Sequence, residues 1–211
     1  MLDKTATAWL SPAVNALARG LHAIGVRADQ LTVAGFLVGL MAAYWITQGA
    51  FWVALTAILI SRLLDALDGA VARQSHPTDA GGFLDISLDF LFYAAIPLAF
   101  AWSNPAQNAL AAATLLAAFM GTASSFLAFA TLAAKRGLHS SAYRQKSFYF
   151  LGGLTEATET LACFAAMCLW PAYFAPLAYG FALLCVVTIA TRVVGGYRLL
   201  RALPTEPPMS T

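Results

Sequence analysis

Four aspartates carry the chemistry that this chain can do. Asp65, Asp68, Asp85 and Asp89 fall within residues 62–89, RLLDALDGAVARQSHPTDAGGFLDISLD, at the ends of two long apolar segments. A carboxylate at membrane depth is costly, and it marks a functional site whose partner must be named. Four such groups cannot neutralise one another, and Arg62 and Arg73 are too few to do so. The natural partner is a divalent metal, or two. Ligation by oxygen alone suits magnesium, manganese or calcium rather than zinc or copper.

The spacing states which elements must hold these acids. Asp65 and Asp68 are three residues apart, and Asp85 and Asp89 four. Either spacing puts a pair on one face of a helix. The linker 74–80 is short and holds the turn formers Ser75, Pro77 and Asp79. It predicts two antiparallel helices as direct neighbours, with Asp68 facing Asp85 near water. Asp65 and Asp89 would then face each other one turn, ~5 Å, deeper.

The 211 residues are 60% hydrophobic and only 10% charged, against about 25% charged in a soluble domain. The expected fold is all-α: a polytopic membrane protein with six transmembrane helices behind an N-terminal interfacial amphipathic helix. The spans are read at 30–48, 51–73, 82–102, 106–134, 152–171 and 176–200, each long enough for a hydrocarbon core of about 30 Å. Three regions follow: a cytoplasmic segment 1–29, a transmembrane catalytic domain 30–203, and a disordered Pro-rich tail 204–211. Residues 11–25 read as the interfacial helix, with Ser11 as N-cap, Pro12 in the first turn and Gly25 as the stop. Val14, Leu17, Leu21 and Ile24 are grouped on its apolar face. The N-terminus lacks the continuous apolar core of a signal peptide, so it is expected to be retained. Asp29 is the expected N-cap of the first span, and Gly35 and Gly39 form a GxxxG packing signal within it.

Lys and Arg set the orientation. The loops after spans one, three and five carry none, whereas Lys4, Arg19, Arg27, Arg73, Lys135, Arg136, Arg144, Lys146, Arg198 and Arg201 gather on the other side. Both termini and the aspartates are therefore expected to be cytoplasmic. Trp45, Trp52, Trp102 and Trp170 fall at the opposite ends, as an outer aromatic belt would. Nothing in this distribution points to nucleic acid.

The basic and aromatic linker 135–153 joins spans four and five. Its Arg144 and Lys146 are placed to hold an anion near the acids. Glu156, Glu159 and Arg192 are intramembrane charges with functional leanings. Arg192 either pairs with a glutamate or binds phosphate. His76 and His139 read as solvated loop residues. Cys163, Cys168 and Cys185 lie in apolar runs without metal spacing and read as buried small hydrophobes.

The run Asp65-x2-Asp68-Gly69-x2-Ala72-Arg73, followed by Gly-x3-Asp85-x3-Asp89, resembles the signature of the CDP-alcohol phosphotransferases, D-x2-D-G-x2-A-R-x8-G-x3-D-x3-D. Asp29-Gln30-Leu31-Thr32 resembles that family's start of the first span. One spacing departs: seven residues, not eight, separate Arg73 from Gly81, so Gly81 or Gly82 fills the glycine position. The resemblance implies a metal-dependent transferase. Asp65, Asp68, Asp85 and Asp89 would hold Mg2+ or Mn2+, as two ions, and Asp89 would also be the general base. Thr32, Gly69, Ala72, Arg73 and Gly81 or Gly82 would receive the CDP group. The donor would be a CDP-linked lipid, namely CDP-diacylglycerol, and CMP would leave. The resemblance also implies a homodimer among membrane lipids, here in the inner membrane.

The acceptor is read from charge. Arg144, Lys146, Arg192 and Glu156 favour a small phosphorylated alcohol, with glycerol 3-phosphate first. Inositol phosphate, serine and choline are the alternatives. A divalent-cation transporter is the competing class. It fits less well, because transport sites lie near the midplane with access from both sides, and these acids cluster in one half.

Overall fold

The computed structural model describes residues 2–75, 77–136 and 155–202. They form helices α1 (Leu2–Ala23), α2 (Ala28–Thr47), α3 (Phe51–Ala72), α4 (Asp79–Ser103), α5 (Pro105–Lys135), α6 (Ala157–Leu169) and α7 (Phe174–Ala202). A 3₁₀ turn, Pro171–Tyr173, links α6 to α7. No strand occurs among the described residues, so the all-α expectation holds. Among the described residues, four stretches are long and apolar enough to cross a membrane: α2, α4, α5, and Pro171–Ala202, which contains α7. The 22 residues of α3 include Arg62, Asp65 and Asp68. The 13 residues of α6 fall short of the ~20 that a span requires.

Local chemistry sets the helix ends. Gly25 and Gly49 take positive φ, +83° and +74°, and stop α1 and α2. The N–H of Gly81 donates to Thr78 Oγ1 at 3.0 Å, which caps α4. Asp79, expected in the linker, is consequently the first residue of α4. Asp29 is not an N-cap. Arg27 holds that position, and Asp29 sits in the first turn, where a negative charge favours the helix dipole. Ser11 is not a cap either. Good helix formers such as Leu2, Lys4, Ala6 and Ala8 carry α1 straight through it.

The N-terminal helix is docked on the protein. Fully buried Ala18, with Val14 and Leu21 beside it, packs against Leu67, Ala70 and Val71 at the end of α3. Leu17 and Ile24 are 54% and 76% exposed. The expected single apolar face is therefore split. The small side chain of Ala18 lets the two backbones approach, and that contact sets the rotation of α1.

α2 packs on both α3 and α4, while α3 and α4 make little backbone contact with each other. The expected direct hairpin packing is corrected here, and the GxxxG pair explains it. A Cβ on Gly35 would lie 3.2 Å from the carbonyl oxygen of Ser61 on α3, and one on Gly39 would lie 2.5 Å from Phe92 Cδ2 on α4. Ser61 Oγ donates to the Gly35 carbonyl at 2.7 Å. Each glycine seats a different neighbour, so α2 is the wedge that holds α3 and α4 apart. The gap is filled by charged side chains, which need the room.

The apolar core lies on the far side of this gap. It stacks Phe100 on Phe174 at 4.6 Å and sets Phe92 edge-on to Phe164 at 6.3 Å. Cys168 and Cys185 are buried in it and Cys163 is half-buried, all three as free thiols. Trp52, Trp102 and Trp170 are exposed, whereas Trp45 is half-buried with its ring edge-on to Tyr44 at 5.4 Å.

Candidate metal centre and its two cavities

Helix spacing puts Asp65 and Asp68 on the side of α3 that faces the first turns of α4. There Asp85 meets them: one carboxylate oxygen from each of Asp65, Asp68 and Asp85 lies within 4.8 Å of the others. Asp68 is only 5% exposed, and its Oδ2 is buried with no hydrogen-bond partner. An unsatisfied buried carboxylate oxygen is expensive unless a cation is bound. Three hard oxygen donors converging around it fit a divalent ion of the magnesium or manganese type.

Asp89 stands apart from this trio. Its Oδ1 accepts a hydrogen bond from Arg62 Nη1 at 2.6 Å. The same nitrogen lies 3.3 Å from Asp65 Oδ1. The guanidinium carbon sits 4.0 Å above the centre of the Phe92 ring and 5.7 Å from that of Tyr93. The expected box of four acids is thus three converging acids and a fourth held by an arginine. Arg62 lies one helical turn before Asp65, so the α-helix itself delivers it to the gap.

Asp68, Asp85 and Asp89 are divided between two cavities. One, of about 460 Å³, opens between the end of α1, the start of α2, the end of α3 and the start of α4. Asp68 and Asp85 line it, together with Thr32, Gly69, Ala72, Gly81 and Gly82. All the residues expected to receive the CDP group are here except Arg73. The Arg73 guanidinium still approaches: its Nη1 would be 3.3 Å from a Cβ on Gly69. A Cβ on Gly81 would be 3.1 Å from both Asp29 Oδ1 and Thr78 Oγ1, but one on Gly82 would meet nothing within 4 Å. The steric need for glycine therefore falls at Gly81.

The other cavity, of about 660 Å³, is enclosed by α4, α5, α6 and α7. Asp89 lines it, with Glu156 and Arg192. Arg192 Nη1 donates to the Thr122 carbonyl at 3.3 Å, and its guanidinium carbon lies 5.8 Å from the Phe126 ring centre. The hydroxyls of Thr122, Thr155 and Thr160 add small polar groups to an otherwise apolar wall. Glu159 has a local task, because its Oε2 accepts the N–H of Glu156 at 3.2 Å and closes the first turn of α6. Arg144, Lys146, His76 and His139 lie outside the described residues.

Sequence reasoning left two features unassigned. Arg62 was visible only as a cation near Asp65, and the threonine hydroxyls gave no signal at all. The spacing of Arg62, Asp65 and Asp68 on one helical face was the clue available.

Comparisons with known proteins give the family. Residues 26–200 match the sequence model of the CDP-alcohol phosphatidyltransferase family. The Escherichia coli (strain K12) inner membrane protein YnjF is 51% identical over 206 residues, spanning 98% of this chain and 100% of its own. The chain therefore belongs to the CDP-alcohol phosphatidyltransferase family, a family of transferases. An archaetidylinositol phosphate synthase of Pyrococcus horikoshii is 32% identical over 49% of this chain and 56% of its own. A crystal structure of Mycobacterium tuberculosis phosphatidylinositol phosphate synthase with CDP-DAG bound superposes with a TM-score of 0.62 at 20% identity, over 94% of this chain and 98% of that one. Another structure of that synthase, in complex with manganese and citrate, gives 0.61 at 20% identity over 87% of this chain and 88% of that one. At such identity the two crystal structures speak for the fold.

Proposed function

We propose that this protein is a metal-dependent membrane transferase that moves the phosphatidyl group of CDP-diacylglycerol to the hydroxyl of a small phosphorylated alcohol. The observation that carries this reading is the converging trio Asp65, Asp68 and Asp85, with Asp68 and Asp85 lining the smaller cavity and Asp89 lining the larger.

In this reading Asp65, Asp68 and Asp85 hold Mg2+ or Mn2+, and Asp89 completes the set when two ions bind. A bound divalent ion neutralises the pyrophosphate and stabilises the charge developing on the leaving CMP. The smaller cavity receives the nucleotide. Gly69, Ala72 and Gly81 keep its walls at backbone height, Thr32 and Gly82 border it, and Arg73 meets a phosphate from the rim. The acceptor lies in the larger cavity. Asp89 accepts the proton of its hydroxyl as the oxygen attacks the β-phosphorus, and the bond to CMP breaks. Arg192 and Glu156 orient the acceptor, with Arg144 and Lys146 supplying further positive charge for its phosphate.

Glycerol 3-phosphate is the acceptor we favour. Inositol phosphate is the second reading, because the Pyrococcus relative is named for an inositol phosphate product. A panel of acceptors, with purified protein, CDP-diacylglycerol and magnesium, decides by CMP release. Turnover with glycerol 3-phosphate is expected. Release only with inositol phosphate would move the assignment, and release with no acceptor would sink the transferase reading.

The same reading takes α2 to α7 as six spans, residues 30–203 as the catalytic domain and 1–29 as cytoplasmic. The aspartates and both termini then face the cytoplasm in the inner membrane, and two copies pair. Labelling of single cysteines placed at either end tests the orientation, and the mass of the protein in detergent tests the pairing.

A further inference from the structure

Arg62 has no part in the mechanism above, yet it is the most heavily engaged cation near the site. Its side chain is 12% exposed. Nη1 bridges Asp65 and Asp89, and Nη2 donates to Ser61 Oγ at 3.3 Å. Ser61 is itself tied to the Gly35 carbonyl. Phe92 lies flat under the guanidinium, and the ring is held there because Gly39 leaves it room. The Nε of Arg62 is buried without a partner. The guanidinium is thus aimed at the acids at the expense of one of its own hydrogen bonds. A desolvated arginine braced on three helices is a poor way to build stability, since breaking even with hydrophobic packing is the usual result.

Resting on the transferase reading, we propose that Arg62 is a built-in cation that positions Asp89 for proton removal and weakens the grip of the acids on metal. The geometry divides the work of Asp89. Oδ1 is committed to Arg62, which leaves Oδ2 as the oxygen for the acceptor cavity that Asp89 lines. Without Arg62 the carboxylate is free to rotate, and Oδ2 is no longer held for the acceptor. The positive charge also lies beside Asp65, one of the converging ligands, and opposes a cation bound there. An arginine at this place tethers Asp89 and makes metal binding reversible enough to accompany turnover.

Arg62→Gln tests both halves. CMP release should fall about 100-fold in kcat, the size expected of a catalytic group displaced by about an ångström, with KM for CDP-diacylglycerol within about threefold of wild type. Mn2+ binding without lipid, followed by electron paramagnetic resonance, should tighten by about threefold or more as the opposing charge is removed. Unchanged kcat would overturn the positioning role. Weaker Mn2+ binding would make Arg62 a structural brace and overturn the charge role. Arg62→Lys keeps the charge but shortens the reach, so wild-type Mn2+ affinity with about tenfold lower kcat is expected. If Arg62→Gln does not fold, the lysine variant decides: wild-type kcat or altered Mn2+ affinity would overturn the proposal. Should wild-type protein release no CMP with any acceptor, the transferase reading fails, while the Mn2+ measurements still decide whether Arg62 opposes metal.

Discussion

The two cavities beside the aspartates are built in different ways. The smaller one has bare backbone in part of its wall: Gly69, Gly81 and Gly82 line it beside Asp68 and Asp85, and Thr32 turns its hydroxyl back to the Ala28 carbonyl at 3.1 Å. The larger one is walled by side chains, with threonine hydroxyls, Glu156 and Arg192 set among Phe90, Phe119 and Phe126. A backbone wall suits a ligand that is always the same, because peptide groups offer fixed geometry and few ways to vary. A wall of side chains can be re-lettered one residue at a time. On the proposed assignment of the cavities, the donor would be the constant partner and the acceptor the variable one. Asp89 lines the larger cavity, held from α3 by Arg62.

Removing the metal is the most severe way to break this comparison. Chelation with EDTA should abolish CMP release and lower Tm, and added Mg2+ or Mn2+ should restore both. Turnover that persists in EDTA would show that the converging trio does not serve a metal. Asp89→Asn comes next. A loss of about 10² to 10⁴-fold in kcat is expected for a missing general base, with the Tm response to Mn2+ retained. An active Asp89→Asn enzyme would move the base elsewhere.

Arg192→Lys sharpens the contrast between the cavities. The acceptor KM should rise about tenfold, because a forked donor is replaced by a point charge, while KM for CDP-diacylglycerol stays put. Equal changes in both constants would mean that the larger cavity is not an acceptor site of its own. The smallest effects should come from the glycines. Gly81→Ala crowds Asp29 and Thr78 and should raise KM for the donor several-fold. Gly82→Ala meets open space and should leave stability unchanged or raise it by about 0.4–1 kcal/mol, read as Tm. Matching effects at both positions would remove the steric distinction between them.

The chain order alone determined the membrane class, the all-helical fold and the acids that gather at the candidate metal centre. Those features depend on composition and on periodicity within single helices, where i, i+3 and i, i+4 neighbours are fixed by the helix geometry. The residues of the smaller cavity were also legible as a group, since they crowd into one stretch from Gly69 to Asp85 and the nearby start of α2. Tertiary structure decided the rest. Only packing shows that α2, seating Ser61 on Gly35 and Phe92 on Gly39, holds the backbones of α3 and α4 apart. Only packing brings Thr122 of α5, Glu156 at the N-cap of α6 and Arg192 of α7 to the cavity of Asp89. And only packing hands Asp89 to Arg62, 27 residues away along the chain, because a contact across two helices depends on how they are rotated, which no local spacing records.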